Sequence, residues 1–483
     1  MLFRLLVHIA EDVLPETQCG FRKQRSTIDM RFVARQLQEK CREHHKPLYM
    51  VFVDLTKAFD TVNRPLLWSI LEKFGCPPTF LAVLTALHDG AMARVISGGG
   101  KSDPFTVGSG VRQGCVIAPI LFNLFLAGVM KTSAHLLLPD AGIPIKYRLD
   151  GNLFNLRRLQ AKTKVTKVII RDLQYADDAA YVSCSSEHLQ HTLNTLADTY
   201  NRAGLTINTS KTEVLIMRDP PQDPVTFHIN NQQLKTVPHF PYLGSIITDT
   251  GDITNEVHRR ISLASASFGR LNNRVFHNRD LTIYTKMTVY KALCLSILLY
   301  GCEAWVPYRK HLSKLESFHT GCLQRILGLK WWHRIPKTEL YERANIEPLE
   351  VLLFQKQLRW AGHVIRMPQD RLPRKVLYGE IPDSSRSAGG QRKRYKDHLK
   401  TSLKLCGIQP LVLETLASDR HQWSVSCHKG SVTYATQLKN KAAAKRVLRH
   451  QPPAMQGEFC CDVCNRICGS RIGLYSHRRT HRK

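Results

Sequence analysis

Acidic residues are scarce in this chain: 39 Asp and Glu stand against 69 Lys and Arg, which leaves a formal net charge of +30. A self-repelling surplus of that size argues against a merely solvated basic surface and for a polyanionic partner, nucleic acid first. Long apolar runs are missing as well, and none approaches the roughly 20 residues that a helix needs to cross a bilayer. Residues 1–10 do not read as a secretory leader: they are apolar but short, lack a small-residue cleavage site and run into Glu11 and Asp12. The 14 cysteines form no regular framework, so the chain reads as intracellular with reduced thiols. No internal repeat is visible. What is present is a hydrophobic content of 43%, enough for a sizeable core, in a length of 483 residues that suggests more than one domain.

Residues 1–47 are mixed, with a basic cluster at Arg22, Lys23 and Arg25. From 48 to 250, short apolar runs alternate with helical patterns, which argues for an α+β or α/β fold. Leu48–Leu55 (LYMVFVDL) is an apolar run ending in an acid and predicts a buried strand. Residues 65–74 and 121–130 predict helices, the second one buried. Val168–Cys184 reads as strand, tight turn, strand, with Ala176-Asp177-Asp178 at the turn. Leu189–Ala203 is an amphipathic helix that Gly204 ends, and Val214–Met217 is a further strand. Residues 140–167 are basic and irregular and look like an inserted loop. Residues 253–380 are mostly helical, with Trp331, Trp332 and Trp360 among basic residues. Residues 383–394 (DSSRSAGGQRKR) read as a linker, and a second basic run spans 439–449.

Nucleotidyl transfer onto a growing strand uses two divalent cations, and Mg²⁺ takes oxygen ligands, so carboxylates must converge. Asp177 and Asp178 at a hairpin turn supply two; Asp54, at the end of a buried strand, supplies a third. In isolation the tandem pair also fits a solvated turn, where Asp is common. Its setting between apolar strands is what favours a metal site. Asp60 lies too far along the chain to share that metal and reads as a helix N-cap before Val62 and Pro65.

Six motifs in order then resemble the reverse transcriptase of a non-LTR (LINE-type) retrotransposon. They are Gln18-Cys-Gly-Phe-Arg22 with Ser26-Thr-Ile-Asp29, Phe52–Asp60, Gly110-Val-Arg-Gln-Gly114 continuing to Asn123, Tyr175-Ala-Asp-Asp178, Gly204–Asn208 with Ser210-Lys-Thr212, and Tyr242-Leu-Gly244. The resemblance implies a right-hand polymerase. Its parts are partial fingers (1–47), a palm with the remaining fingers elements (48–250), a helical thumb (251–330) and a basic helical region (331–450). It implies Asp54, Asp177 and Asp178 as catalytic metal ligands for two Mg²⁺ or Mn²⁺. Phe59 falls where the family excludes a ribose 2′-hydroxyl, although a core phenylalanine fits the same position. Gln113 and Gly114 fall where the family meets nucleotide and template. Arg22 is either a triphosphate ligand or a surface arginine, and Lys211 matches a lysine that protonates leaving pyrophosphate. The implied partners are an RNA template, a DNA primer and dNTPs. Integration by related elements implies access to the nucleus. The earliest fingers motifs and any endonuclease are missing, so Met1 reads as an internal start in a longer ancestral frame. The rival expectation is an inactive relic that only binds nucleic acid.

At the far end, Cys461, Cys464, His477 and His481 fit C-x₂-C-x₁₂-H-x₃-H, the spacing of a ββα zinc finger over 459–481 holding one Zn²⁺. Phe459 and Leu474 supply its small core, Cys468 replaces the usual aromatic, and Cys460 is a bystander. Its basic run, including Arg471, Arg478 and Arg479, points to phosphate contacts, with target DNA, RNA or protein all open as partners. In residues 357–367, Leu358, Trp360, Val364 and Met367 read as a core stripe. Trp331 and Trp332 fit either core or base stacking.

Overall fold

The computed structural model describes residues 2–218, 225–382, 392–450 and 459–481. Its centre is a five-stranded sheet in the order Lys235–Thr236, Glu213–Met217, Leu48–Val53, Asp178–Ser183, Asp172–Tyr175. All pairs are antiparallel except the first, which is parallel. Leu48–Val53 is buried along its whole length because both faces of the sheet are covered. Tyr49, Val51 and Val53 pack into a core with the helices Arg64–Lys73, Ala118–Ser133 and Ser186–Arg202. Leu48, Met50 and Phe52 face a second core, built from helix Thr27–Glu43, the hairpin His239–Thr248 and helix Leu372–Tyr378. The two-sided cover explains why the strand is uniformly apolar rather than alternating. Each of its large side chains contributes roughly 1.5–3 kcal/mol of burial.

Helix Ala118–Ser133 occupies the stretch expected to be a buried helix, and helix Ser186–Arg202 ends before Gly204, whose φ is +81°. Two expectations are corrected. Residues 140–167 are not an irregular loop: Ile143–Tyr147 pairs antiparallel with Thr166–Ile170, and Ile143, Ile145 and Ile170 enter the second core. Only alternate residues of that hairpin are buried, and Lys146 and Lys167 on its other positions disguise the pattern. The cap of helix Arg64–Lys73 is Asn63, whose Oδ1 accepts the Leu66 N–H at 3.0 Å, and not Asp60.

Helix Thr27–Glu43 buries most of its charged residues, among them Asp29, Arg35, Glu39 and Lys40. Asp29, Glu39 and Lys40 are met by the chain beyond residue 367, which folds back onto the helix, whereas Arg35 donates to the Ile246 carbonyl. Lys40 Nζ donates to the Gly379 carbonyl at 2.6 Å and pairs with Glu380 at 3.3 Å. Glu39 accepts the Tyr395 N–H at 2.7 Å. Arg371, buried itself, binds Glu16 at 2.5 Å and Asp29 at 2.7 Å. Burial raises the Asp29 carboxyl to about 6 although Arg371 pulls it down. Arg371→Met is expected to cost about 3–5 kcal/mol at neutral pH, because it strands a buried carboxylate. The cost should shrink near about pH 5, where Asp29 takes up a proton. Urea unfolding at both pH values measures it, and equal losses at the two would refute the account.

Residues 254–378 are chiefly helical, and Trp360 is core: its ring meets Phe32 edge-on at 5.5 Å, with Leu358, Val364 and Met367 buried around it. Trp332 is exposed. The linker expected at 383–394 lies, through residue 391, outside the described residues, as do Arg482 and Lys483. Among the described residues no helix is long and apolar enough to cross a membrane. None of the 14 cysteines is in a disulfide.

Candidate active site and candidate metal centre

Tyr175 pairs with Asp178, so Ala176 and Asp177 form a two-residue turn that lifts both aspartates into solvent at the sheet end. Ala176 takes φ +58°, a left-handed conformation unfavourable for a residue with a Cβ. The buried Gln18 side chain holds it there. Gln18 Oε1 accepts the Ala176 N–H at 2.9 Å, and its Nε2 donates to the Ala176 carbonyl at 3.2 Å. The same oxygen accepts the Gly20 N–H at 2.9 Å. Around it, the Cys19 N–H donates to Gln174 O and the Gln174 N–H to Thr17 O, both at 2.9 Å, so the segment lies beside the hairpin like an added strand. Gly20 presses so close that a Cβ would collide with the Ala176 backbone. Asn123 Nδ2 then donates to the Gly20 carbonyl at 2.7 Å. Three motifs far apart in sequence therefore meet behind one turn.

Asp54 follows the central strand directly. Its N–H donates to the buried Thr212 hydroxyl at 3.3 Å, and its carbonyl accepts the Asn208 N–H at 2.8 Å. Lys211, on the same segment, approaches the Asp54 carboxylate at 3.9 Å. Asp177 and Asp178 are accessible, yet protein surrounds them closely enough to matter. Desolvation, followed by the charges of Asp177 and Asp54, raises the Asp178 carboxyl to about 6. The Asp177 carboxyl is raised by desolvation and by Asp54. Three mutually repelling carboxylates at one strand end fit a divalent cation, which would relieve that repulsion. Their oxygens are not drawn into one ligand cluster; among the described residues only the C-terminal Cys/His group is.

Phe59 is half-buried and stacks on Phe122 at 4.6 Å. Its carbonyl accepts the Val111 N–H at 2.8 Å, which ties the Gly110–Gly114 loop to the segment after Asp54. Gly110, at φ +81°, leaves no room for a Cβ: one would sit 2.6 Å from Asp60 O. Arg64 fastens the same loop through the carbonyls of Gly110, Val107 and Ser109. Gln113 and Gly114 are exposed at its tip. Arg22 does not join the group. Its guanidinium is buried and committed to Glu11 at 2.9 Å and to the carbonyls of Pro15 and Gln18 at 2.7 and 3.1 Å, so it has no face for a triphosphate. The Leu243-Gly244 turn is held by the Tyr300 hydroxyl on Leu243 O at 3.2 Å and by Arg260 on Gly244 O. Gln18, Asn123 and Thr212 lie within the motifs without an expected role; Asn123 alone carries a signal, a polar residue between Phe122 and Leu124, while Gln18 and Thr212 stand among polar neighbours.

The ligand atoms of Cys461, Cys464, His477 and His481 lie within 4.8 Å of one another. Cys460 and Ile467 form an isolated antiparallel bridge, and Ser470 caps helix Arg471–Arg478 by accepting the Gly473 N–H at 3.1 Å. Backbone N–H groups, that of Val463 first, hold the Cys461 thiol below its usual range, as suits a thiolate ligand. Cys460 is exposed and outside the set.

An open sheet with helices on both faces carries paired aspartates on a hairpin turn and a third aspartate just past the end of the neighbouring strand, a candidate polymerase centre. The family model "Reverse transcriptase (RNA-dependent DNA polymerase)" matches residues 1–247, and the chain belongs to that family. A putative uncharacterized transposon-derived protein, F52C9.6 of Caenorhabditis elegans, is 26% identical over 264 residues, covering 53% of this chain and 94% of that protein. The RNA-directed DNA polymerase from mobile element jockey of Drosophila melanogaster is 22% identical over 392 residues, covering 75% and 39%. The type-2 retrotransposable element R2DM polyprotein of Drosophila melanogaster is 24% identical over 220 residues, covering 44% and 18%. The chain thus spans well under half the length of the jockey and R2DM proteins. Among solved structures, a telomerase from Candida albicans aligns with 74% of this chain and 54% of its own, at TM-score 0.35 and 13% identity.

Proposed function

We propose that this chain is an RNA-directed DNA polymerase that extends a DNA primer on an RNA template. The observation that carries the reading is the placement of Asp54 beside the Asp177–Asp178 turn. In the reaction a DNA 3′-oxygen bonds to the α-phosphorus of a dNTP, the α–β phosphoanhydride bond breaks, and pyrophosphate leaves. Two Mg²⁺ or Mn²⁺ held by Asp54, Asp177 and Asp178 would supply the charge that activates the hydroxyl and steadies the leaving group. Phe59, braced by Phe122, offers a rigid ring against a 2′-hydroxyl, and exposed Gln113 and Gly114 offer a polar tip to nucleotide and template. Lys211 stands near enough to Asp54 to give a proton toward pyrophosphate. Primer extension by the full chain on an RNA template with Mg²⁺ tests the proposal. Folded protein that yields no product overturns it.

The same proposal assigns one Zn²⁺ to Cys461, Cys464, His477 and His481, with two thiolates and two imidazoles as ligands. Metal binding supplies most of the folding free energy of so small a unit. Cys464→Ser should therefore lower zinc content from one equivalent to none and expose residues 459–481 to proteolysis, while the thermal transition of the remainder stays in place. Retention of zinc by that variant would refute the ligand set. The finger, its basic helix and the 439–449 run are proposed to add affinity for nucleic acid, target DNA included. The sites of action proposed for this chemistry are the nucleus and the RNA-bearing cytoplasm.

A further inference from the structure

On the side of helix Thr27–Glu43 turned away from the sheet lies a cavity of about 400 Å³, which shares no residue with the acidic centre. Its floor is a stripe of that helix, Arg35, Gln38, Glu39 and Arg42, with Gln36 beside it. The opposite wall comes from Thr250–Ile253 at the start of the next helical region, from Tyr308 and Lys310, and from Arg392 and Lys393. Five cations thus face two acids. Asp252 is held by the Thr254 hydroxyl and the Ile253 N–H at 2.6 Å each and pairs with the rim cation Lys310 at 3.5 Å, and Glu39 accepts the Tyr395 N–H at 2.7 Å, so the cations still outnumber the acids. Burial also pushes the Glu39 carboxyl up to about 7, which thins the negative charge further.

The polar groups of the floor are buried but incompletely used. Arg35 is 8% exposed, and its outer nitrogen NH2 binds the Ile246 carbonyl at 2.5 Å, while NH1 has no partner. The Nε of Arg42 has none either. Gln36 and Gln38 are each 2% exposed, and both amide oxygens are without a donor. Buried polar groups of this kind are normally satisfied, so unmatched donors beside unmatched acceptors describe the ligand. Guanidinium donors call for phosphate, and amide oxygens call for hydroxyl or amino donors next to it. A ribose, with its 2′-hydroxyl, supplies such a donor where deoxyribose does not.

We propose that this cavity holds one ribonucleotide through its phosphate and sugar, remote from the polymerase centre. Its source is either a strand of RNA passing behind the palm or a free ribonucleotide. The proposal does not depend on the polymerase reading, because binding alone is measured. Lys310 is exposed on the rim and Lys393 half-buried, so Lys310→Gln/Lys393→Gln removes two charges without touching the core. Lys162→Gln/Lys167→Gln, both exposed on another face, removes the same charge as a control. The full chain is titrated with a labelled 20-nucleotide RNA, the same DNA sequence and AMP, with thermal shift for AMP.

If RNA is the source, the rim variant should lose about tenfold in RNA affinity and lower the salt slope by about one to two, with a smaller loss for DNA and for the control pair. If free ribonucleotide is the source, AMP should raise the wild-type Tm and cease to do so in the rim variant alone. Arg35→Lys, which keeps charge but not the fork, should weaken whichever ligand binds if it folds. Equal losses in rim and control variants, or equal losses for RNA and DNA with no AMP shift, overturn the proposal.

Discussion

Asp177→Asn should reduce primer extension by about a thousandfold or more, equivalent to about 4 kcal/mol of lost transition-state stabilisation, while leaving the fold intact. Asparagine keeps the size of the side chain and removes its charge. The turn needs only the backbone of residue 177, so the hairpin register Tyr175 to Asp178 should persist. Stability offers an independent check. Without metal, Asp177 sits among like charges, and it helps to raise the Asp178 carboxyl to about 6, after desolvation. Removing its charge should bring that carboxyl back toward the ordinary range and hold or raise the metal-free Tm. Single-turnover extension on an RNA template, with Tm measured in EDTA, gives both numbers. A variant that extends primers at the wild-type rate would sink the metal assignment. A variant that melts early would show that its inactivity came from unfolding.

Gln18→Leu is the second large effect, and it concerns a residue that touches neither substrate nor metal. Leucine fills a similar volume but cannot hold the turn. The Ala176 N–H and carbonyl lose their side-chain partner, at about 1–3 kcal/mol for each group left unsatisfied. The left-handed Ala176 then has less to hold it, and Asp177 can drift. A misplacement of about 1 Å can cost about a hundredfold, so kcat should fall by about that factor with KM for dNTP changed little. Ala176→Gly supplies the rescue, since glycine takes φ +58° without strain. In the Gln18→Leu background it should restore part of kcat. If kcat stays at the wild-type value in Gln18→Leu, or the glycine restores nothing, Gln18 is not a positioning residue.

What could be read along the chain and what could not divides on physical lines. The strand at 48–53 was legible because burial on both faces demands an unbroken apolar run, and the helix at 118–133 for the same reason. The hairpin at 143–170 was not, because it buries only alternate positions and exposes lysines. Helix Thr27–Glu43 was harder still. Its buried charges mimic a solvent-exposed segment, and their partners Arg371, Glu380 and Tyr395 lie more than three hundred residues downstream. Arg22 shows the converse case, open along the sequence between a triphosphate ligand and a surface arginine. A basic side chain in a family motif suggested phosphate, but Glu11 and nearby carbonyls consume its donors.

The sequence by itself determined the chemistry on offer: three aspartates in motif context, a Cys₂His₂ spacing and a strong cationic surplus. Those are matters of residue type and local spacing, which need no folding to be read. Tertiary structure alone decided which side chains stand behind them. Gln18 clamps Ala176, Asn123 holds Gly20, and Thr212 meets Asp54 across separations of about a hundred residues or more. Such contacts follow from how the sheet, its covering helices and the returning C-terminal segment pack, and a hydrogen bond between distant residues leaves no periodicity along the chain.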